Sequence, residues 1–299
     1  MTVHVVGNVT EDIVFSVPRL PAPGETLIAS ERLVDMGGKG LNQAVLLARA
    51  GCAVRLVAAV GADEAGKRAE AYAGIELPGS RLLVMDAQTD QSVIAVASDG
   101  ENHIISSAAA AGRLDPGAAV RAIGPIGADD AVVVQGNLTR ETTRAVLAAG
   151  RDGGAWTVAN PSPIRWAWDD LLALCDLVIV NRRELAVLTG SASGRPADLL
   201  ARRAGAVLLT LGAEGAMHTT AAGEASVAAA AVDVVDTAGA GDTFLAAFVA
   251  AILGGRETAC ALRAAAAAAA LTVSRAGTSS AFPSRREMLR CLEVTGSMH

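Results

Sequence analysis

The sequence has no run of five or more lysines and arginines, no Cys-x-x-Cys pair, no clustered histidines and no apolar stretch long enough to span a bilayer. Each absence removes a class of function. With a formal net charge of -6 over 299 residues, the chain lacks the basic patch that a nucleic-acid partner favours. Cys52, Cys175, Cys260 and Cys291 are widely scattered. That spacing suits neither a zinc frame nor a disulfide scaffold, so buried free thiols in a reducing compartment are expected. His4, His103, His218 and His299 lie far apart, which argues against a metal or nucleophilic role for any of them. Residues 264–271 are apolar but far too few to cross a membrane. The opening "MTVHVVGNV" enters a strand pattern with no basic or signal-like segment before it. A cytoplasmic protein with neither a membrane nor a nucleic-acid partner is expected. No low-complexity linker divides residues 1–299, so a single domain is expected.

What is present is an apolar chain, 52% hydrophobic, in which strand and helix signals alternate. Short apolar runs of strand length fall at 3–6, 54–60, 132–135, 156–159, 177–180 and 207–211. Leu41, Ala44, Val45 and Ala48 fit one helix face that Gly51 stops, and further helical patterns fall near 139–150, 182–189 and 197–204. Beyond Gly241 the pattern is largely helical, and the alanine-rich stretch at 264–270 reads as close helix packing. Repeated β-α alternation with continuous apolar strands predicts an α/β fold, a mostly parallel sheet covered by helices on both faces. Two regions break the rhythm, 11–35 and 88–106, the second with a hairpin signal at Asp99-Gly100. They are expected to pair into a small β-sheet over one edge of the main sheet, suited to serve as a lid.

Two glycine-rich turns precede helices. "MGGKGLNQA" at 36–44 is neither a Walker A loop, since Lys39 is followed by Gly40, nor a GxGxxG turn. By itself it reads as a turn and a helix start. "VVDTAGAGDTFLAA" at 234–247 places Asp242 at the mouth of an apolar helix behind three small residues. The bland reading of Asp242 is a helix cap. The chemical reading is a base beside a site where a charged ligand approaches the backbone.

The pair, about two hundred residues apart, resembles the two signature motifs of the ribokinase-like sugar kinases, the PfkB carbohydrate kinase family. "PAPGET" at 21–26, "ANPSP" at 159–163, "VNRRELAVLTG" at 180–190, "LLTLGAEGA" at 208–216 and "SRAGTSSAFP" at 274–283 extend the resemblance over nearly the whole chain. The resemblance implies transfer of the γ-phosphate of ATP to a sugar hydroxyl. Asp242 would be the catalytic base, with Gly239, Ala240 and Gly241 presenting N–H groups to the transferring phosphoryl group. It also assigns Asp12, Gly38, Lys39 and Asn42 to sugar binding, and Thr210 and Gly212 to the nucleotide. Asn181 and Glu184 would organise magnesium and phosphate, Glu184 through water. A monovalent-cation site, expected to take potassium, would use Asp236, the backbone of Ala238, and carbonyls near Thr272, Arg275 and Gly277. A homodimer formed through the small sheet is a further expectation. The bland readings are a turn aspartate for Asp12, a solvated lysine for Lys39 and first-turn acidity for Glu184.

The sugar end departs from the family pattern. "GNVTED" places Thr10 where ribokinases proper carry an asparagine, with Asp12 kept, and "VQGNLT" places Asn137 where a glutamate is usual. An amide both donates and accepts, whereas a carboxylate only accepts. The phosphoryl-transfer residues are intact while the sugar contacts change at two points. The expected activity is ATP-dependent phosphorylation of ribose or a related sugar, on a primary hydroxyl. The alternatives are a nucleoside or other sugar-like alcohol as acceptor, or a catalytically weak sugar-binding regulator on the same scaffold.

Overall fold

The computed structural model describes residues 1–294. Among them the first part of the chain runs β1 (Val3–Asn8), β2 (Thr10–Val17), β3 (Glu31–Gly37), α1 (Lys39–Arg49), β4 (Val54–Gly61), α2 (Glu64–Glu76), β5 (Arg81–Met85), β6 (Asp90–Ala97) and β7 (Asn102–Ser106). The middle continues α3 (Pro116–Ile123), β8 (Ala131–Gln135), α4 (Arg140–Asp152), β9 (Trp156–Asn160), β10 (Leu177–Asn181), α5 (Arg182–Thr189), α6 (Pro196–Leu200) and β11 (Ala206–Thr210). The last part is β12 (Ala216–Thr220), β13 (Gly223–Val227), α7 (Ala240–Leu253), α8 (Thr258–Val273) and α9 (Arg285–Val294).

Nine strands form one sheet in the order β13-β12-β11-β10-β9-β8-β1-β4-β5, parallel from β11 through β5 with an antiparallel edge at β12 and β13. The expected α/β architecture is present. Successive residues of each central strand bury on opposite faces, the period-2 rule of the pleat. Val3 and Val5 of β1, Leu56 and Ala58 of β4 and Val133 of β8 pack with α1, α7 and α8. Val6, Val57, Val132 and Val134 pack with α3, α4 and Trp168. Both faces are therefore covered, as the continuous apolar strands require.

The second sheet, β3-β2-β6-β7, is built from the two β stretches that broke the alternation. β2 pairs antiparallel to β3 and parallel to β6, and β6 pairs antiparallel to β7 around Gly100, which sits at φ 85°. Only Val9 separates β1 from β2, so the chain passes from the large sheet straight into the small one.

Several expectations are corrected. The helix expected at 197–204 ends at Leu200, because the chain turns at Arg203, which adopts φ 74°. Of the four free cysteines only Cys175 is fully buried; Cys52, Cys260 and Cys291 are half-buried. The sheet also carries an antiparallel edge, formed by β12 and β13, that the β-α alternation does not predict.

The start of α1 lies against the end of β1 more closely than any side chain permits. A Cβ on Gly40 would sit 2.6 Å from the Asn8 nitrogen and 2.7 Å from its carbonyl oxygen. Both obstacles are backbone, so neither can swing aside. Gly40→Ala is expected to destabilise the fold by about 1–3 kcal/mol, read as a lowered urea midpoint at unchanged m-value. An unchanged midpoint would mean that β1 and α1 do not approach this closely.

Candidate active site

The parallel strands end in a row of polar side chains: Asn8 on β1, Gln135 on β8, Asn160 on β9, Asn181 on β10 and Thr210 on β11. In a parallel α/β sheet ligands bind at this carboxyl edge. The starts of α1 and α7 lie over the same edge and bring the two glycine-rich motifs together.

Asp242 is buried in the first turn of α7, and no side chain caps that helix. Its carboxylate instead accepts from α1: Oδ2 from Asn42 Nδ2 at 3.1 Å and Oδ1 from Gln43 Nε2 at 2.9 Å. Lys39 Nζ lies 3.8 Å from Oδ1. The cap reading of Asp242 therefore fails on geometry. Gly239, the residue before α7, adopts φ 74°, and a Cβ there would sit 2.4 Å from the Phe282 ring. A Cβ on Gly241 would meet nothing within 4 Å. The Ala240 N–H makes a long bond of 3.4 Å to the Thr237 carbonyl, and the helix start at Gly241 faces open space, the arrangement that favours an anion.

Asp12 lies at the junction of the two sheets, buried beside Gly37, whose Cβ would fall 2.0 Å from Asp12 Oδ2. Thr10 donates its hydroxyl to Asp12 Oδ1 at 2.6 Å. Burial pushes the Asp12 carboxyl up to about 6; the hydroxyls of Thr10 and Ser92 pull the other way, and the charges of Asp35 and Asp242 add to the rise. Gly38 starts α1 at φ 94° and packs against Asn8 and Thr10. Asn8 Oδ1 accepts the Gly40 N–H at 3.3 Å, so this amide serves the helix start. Three amide oxygens near the motifs, Asn42 Oδ1, Gln135 Oε1 and Asn137 Oδ1, are buried with no partner. A buried acceptor without a donor costs stability, and a polyhydroxyl ligand would supply the missing donors.

A cavity of about 520 Å³ opens beside α7, lined by Thr210, Gly212, Ala240, Gly241 and a wall of alanines and valines from 229–234 and α8. A smaller one of about 300 Å³ adjoins it, lined by Asn181, Arg182, Arg183, Thr210, Leu211 and Gly212. Asn181 and Glu184 form a reciprocal capping box on α5, each accepting the other's backbone N–H at 2.9 Å. The bland reading of Glu184 thus has a concrete basis, and one of its carboxylate oxygens is engaged. Buried Asp236 accepts from the Ala238 N–H at 2.9 Å and the Gly277 N–H at 3.2 Å, tying together the loops that flank the start of α7. The Thr272 carbonyl accepts from the Arg275 N–H, and the Arg275 side chain pairs with Glu287. The Asp236 carboxylate and the Thr272 carbonyl are oxygen groups, the chemistry that suits a hard cation, and both already accept backbone N–H bonds. Among the described residues, no group of three or more His, Cys, Asp or Glu side chains is placed to hold a metal ion.

A model of the family described as pfkB family carbohydrate kinase matches residues 2–285. The chain belongs to that family. It is 32% identical over 302 residues to the ribokinase of Haemophilus influenzae, covering 98% of each chain. It is 29% identical over 298 residues to the deoxyribokinase of Salmonella typhi, covering 95% of this chain and 96% of that one. Among solved structures it is similar to Arabidopsis thaliana ribokinase complexed with ribose and ATP, with a TM-score of 0.82, 29% identity and 97% and 98% of the two chains covered. The protein is a sugar kinase, a phosphotransferase with an alcohol acceptor. Sequence reasoning overlooked Gln43, Gln135 and Asn160. Their only signal was amides at strand ends and inside the first motif.

The raised carboxyl of Asp12 makes a pH prediction. Its folded form holds a proton more tightly than its unfolded form. The stability this contributes is complete below about pH 4 and is lost as pH rises through about 6. Relative to Asp12→Asn, the wild type is expected to lose up to about 3 kcal/mol across that window, followed by urea unfolding at each pH. Parallel pH profiles for the two proteins would contradict it.

Proposed function

We propose that the chain transfers the γ-phosphate of ATP to a primary hydroxyl of ribose or a related sugar. The observation that carries this reading is Asp242: a buried carboxylate at an uncapped helix start, held by two amides of the other signature motif. A carboxylate held that way is an acceptor ready for the proton of a sugar hydroxyl as its oxygen attacks phosphorus. The Ala240 and Gly241 N–H groups would receive the charge on the transferring phosphoryl oxygens. Asp12 and the unpartnered oxygens of Asn42 and Asn137 would accept from the other sugar hydroxyls, excluding water and fixing the acceptor. The alanine-walled cavity suits a flat apolar base, and Thr210 and Gly212 lie at its mouth.

Magnesium would neutralise the triphosphate, held mainly by the phosphates themselves with Glu184 reached through water. Potassium would sit at Asp236 and brace the loop before α7. The small sheet would act as the lid. Its register aligns Val34, Ile13, Val93 and Ile105 across four strands, an apolar row suited to pairing with a second copy, so a homodimer is our reading. A cytoplasmic location is part of the same reading. Among the described residues no helix is long and apolar enough to cross a membrane.

The acceptor need not be ribose. Thr10 spends its hydroxyl on Asp12, and Asn137 offers an amide where a glutamate is usual, so a related sugar or sugar-like alcohol is the second reading. The chemistry is tested at Asp242. Asp242→Asn is expected to fold, to keep sugar binding in a thermal-shift titration, and to lose about 10²–10⁴ in kcat. A variant with near wild-type kcat would remove Asp242 from the role of base.

A further inference from the structure

Asn42 and Gln43 both hold Asp242, but only one of them has a group left for a ligand. Asn42 keeps an unpartnered oxygen. Gln43 is fully buried, and both ends of its amide are engaged. Its Oε1 accepts from Gln135 Nε2 at 2.7 Å, and its Nε2 donates to Asp242 at 2.9 Å and faces Asn160 Oδ1 at 3.3 Å.

The direction of this chain is not arbitrary. An amide side chain can face either way, but a backbone carbonyl cannot reverse and can only accept. The Ile179 carbonyl on β10 accepts from Asn160 Nδ2 at 2.9 Å, which turns Asn160 Oδ1 toward Gln43. Gln43 must then present its nitrogen to Asn160, and the same nitrogen reaches Asp242. A flipped Gln43 would set its carbonyl against both Asn160 Oδ1 and the carboxylate. On the other side, the Gln135 amide oxygen occupies space that exists only because residue 7 is glycine: a Cβ there would lie 1.9 Å from it. The carboxyl edge of the sheet thus fixes the polarity of one amide on α1, and that amide fixes one oxygen of Asp242.

We propose that Gln43 is a positioning residue for the base, and that the polarity imposed by the Ile179 carbonyl through Asn160 keeps a donor, never an acceptor, against Asp242 Oδ1. This inference rests on the reading of Asp242 as the base. Asn42 serves the base and leaves an acceptor for the ligand, whereas Gln43 serves the base alone. Its loss should therefore act on turnover and leave sugar affinity nearly intact.

The test is a double-mutant cycle on the full-length protein with ATP, Mg²⁺ and ribose, or whichever sugar a substrate panel shows to be turned over fastest. Gln43→Met keeps the volume and removes the donor, and is expected to lower kcat roughly ten- to a hundredfold, the worth of a hydrogen bond to a charged group. The KM for the sugar should stay within about threefold. Placed in Asp242→Asn, Gln43→Met should change the residual turnover by less than about twofold, because a residue that acts through Asp242 has nothing left to act on. Asn160→Leu touches neither the base nor Lys39 and should lower kcat with the same dependence on Asp242; it decides the question if Gln43→Met does not fold. Equal fold-losses with and without Asp242, or full kcat in the folded single variants while Asp242→Asn is inactive, would overturn the positioning role alone. Near wild-type turnover in Asp242→Asn would overturn the base assignment and this inference with it.

Discussion

A buried carboxylate must be met by hydrogen-bond donors, and at Asp242 that demand sets how the starts of α1 and α7 come together. Its two amide partners sit near the start of the chain and the carboxylate near its end, with all of the large sheet except β1 between them in sequence. α1 must reach α7 over the carboxyl edge, which requires α1 to begin hard against β1. Gly40 and Gly38 permit that approach, and Asn8 receives the first N–H. On the other side Gly239 admits the Phe282 ring, and Asp236 clamps the neighbouring loops. A small residue stands wherever backbone must come close to backbone or to a ring.

The large parallel sheet was legible because its strands are buried on both faces. A strand such as β8, Ala131–Gln135, is buried along its whole length and apolar up to its terminal Gln135, and the helices between strands show one apolar face. The edge strands β12 and β13 were not legible. Sequences such as "AMHTT" and "GEASV" are half-exposed, and their pairing is decided by the strand beside them, not by their own pattern. The helical pattern at 197–204 outruns α6 because nothing in its composition announces that Arg203 takes a left-handed backbone, a conformation more usual for glycine.

At the candidate site, the sequence displayed the motif residues and concealed the amides that pack behind them. Asp242 and Asp12 stand in recognisable motifs. Gln135 and Asn160 lie at strand ends where a polar residue reads as the close of an apolar run, and only the register of β8, β9 and β10 brings them to Gln43. Thr10 reads from sequence as a changed sugar contact, yet its donor is turned onto Asp12. Its hydroxyl is thus engaged within the protein, while Asn137 keeps a buried oxygen without a partner. The surroundings of Asp242 are closely determined by packing, whereas the oxygens of Asn42 and Asn137 are buried without partners.

The most direct measurement is product analysis with the intact protein, ATP, Mg²⁺ and K⁺ against pentoses, hexoses, polyols and nucleosides, following ADP release and the ³¹P spectrum of the product. The account predicts sugar-dependent ADP release with an equal amount of a phosphomonoester whose phosphorus couples to a methylene group, as a primary hydroxyl acceptor requires. ADP release at the same rate with and without every acceptor in the panel, and no phosphomonoester, would contradict it.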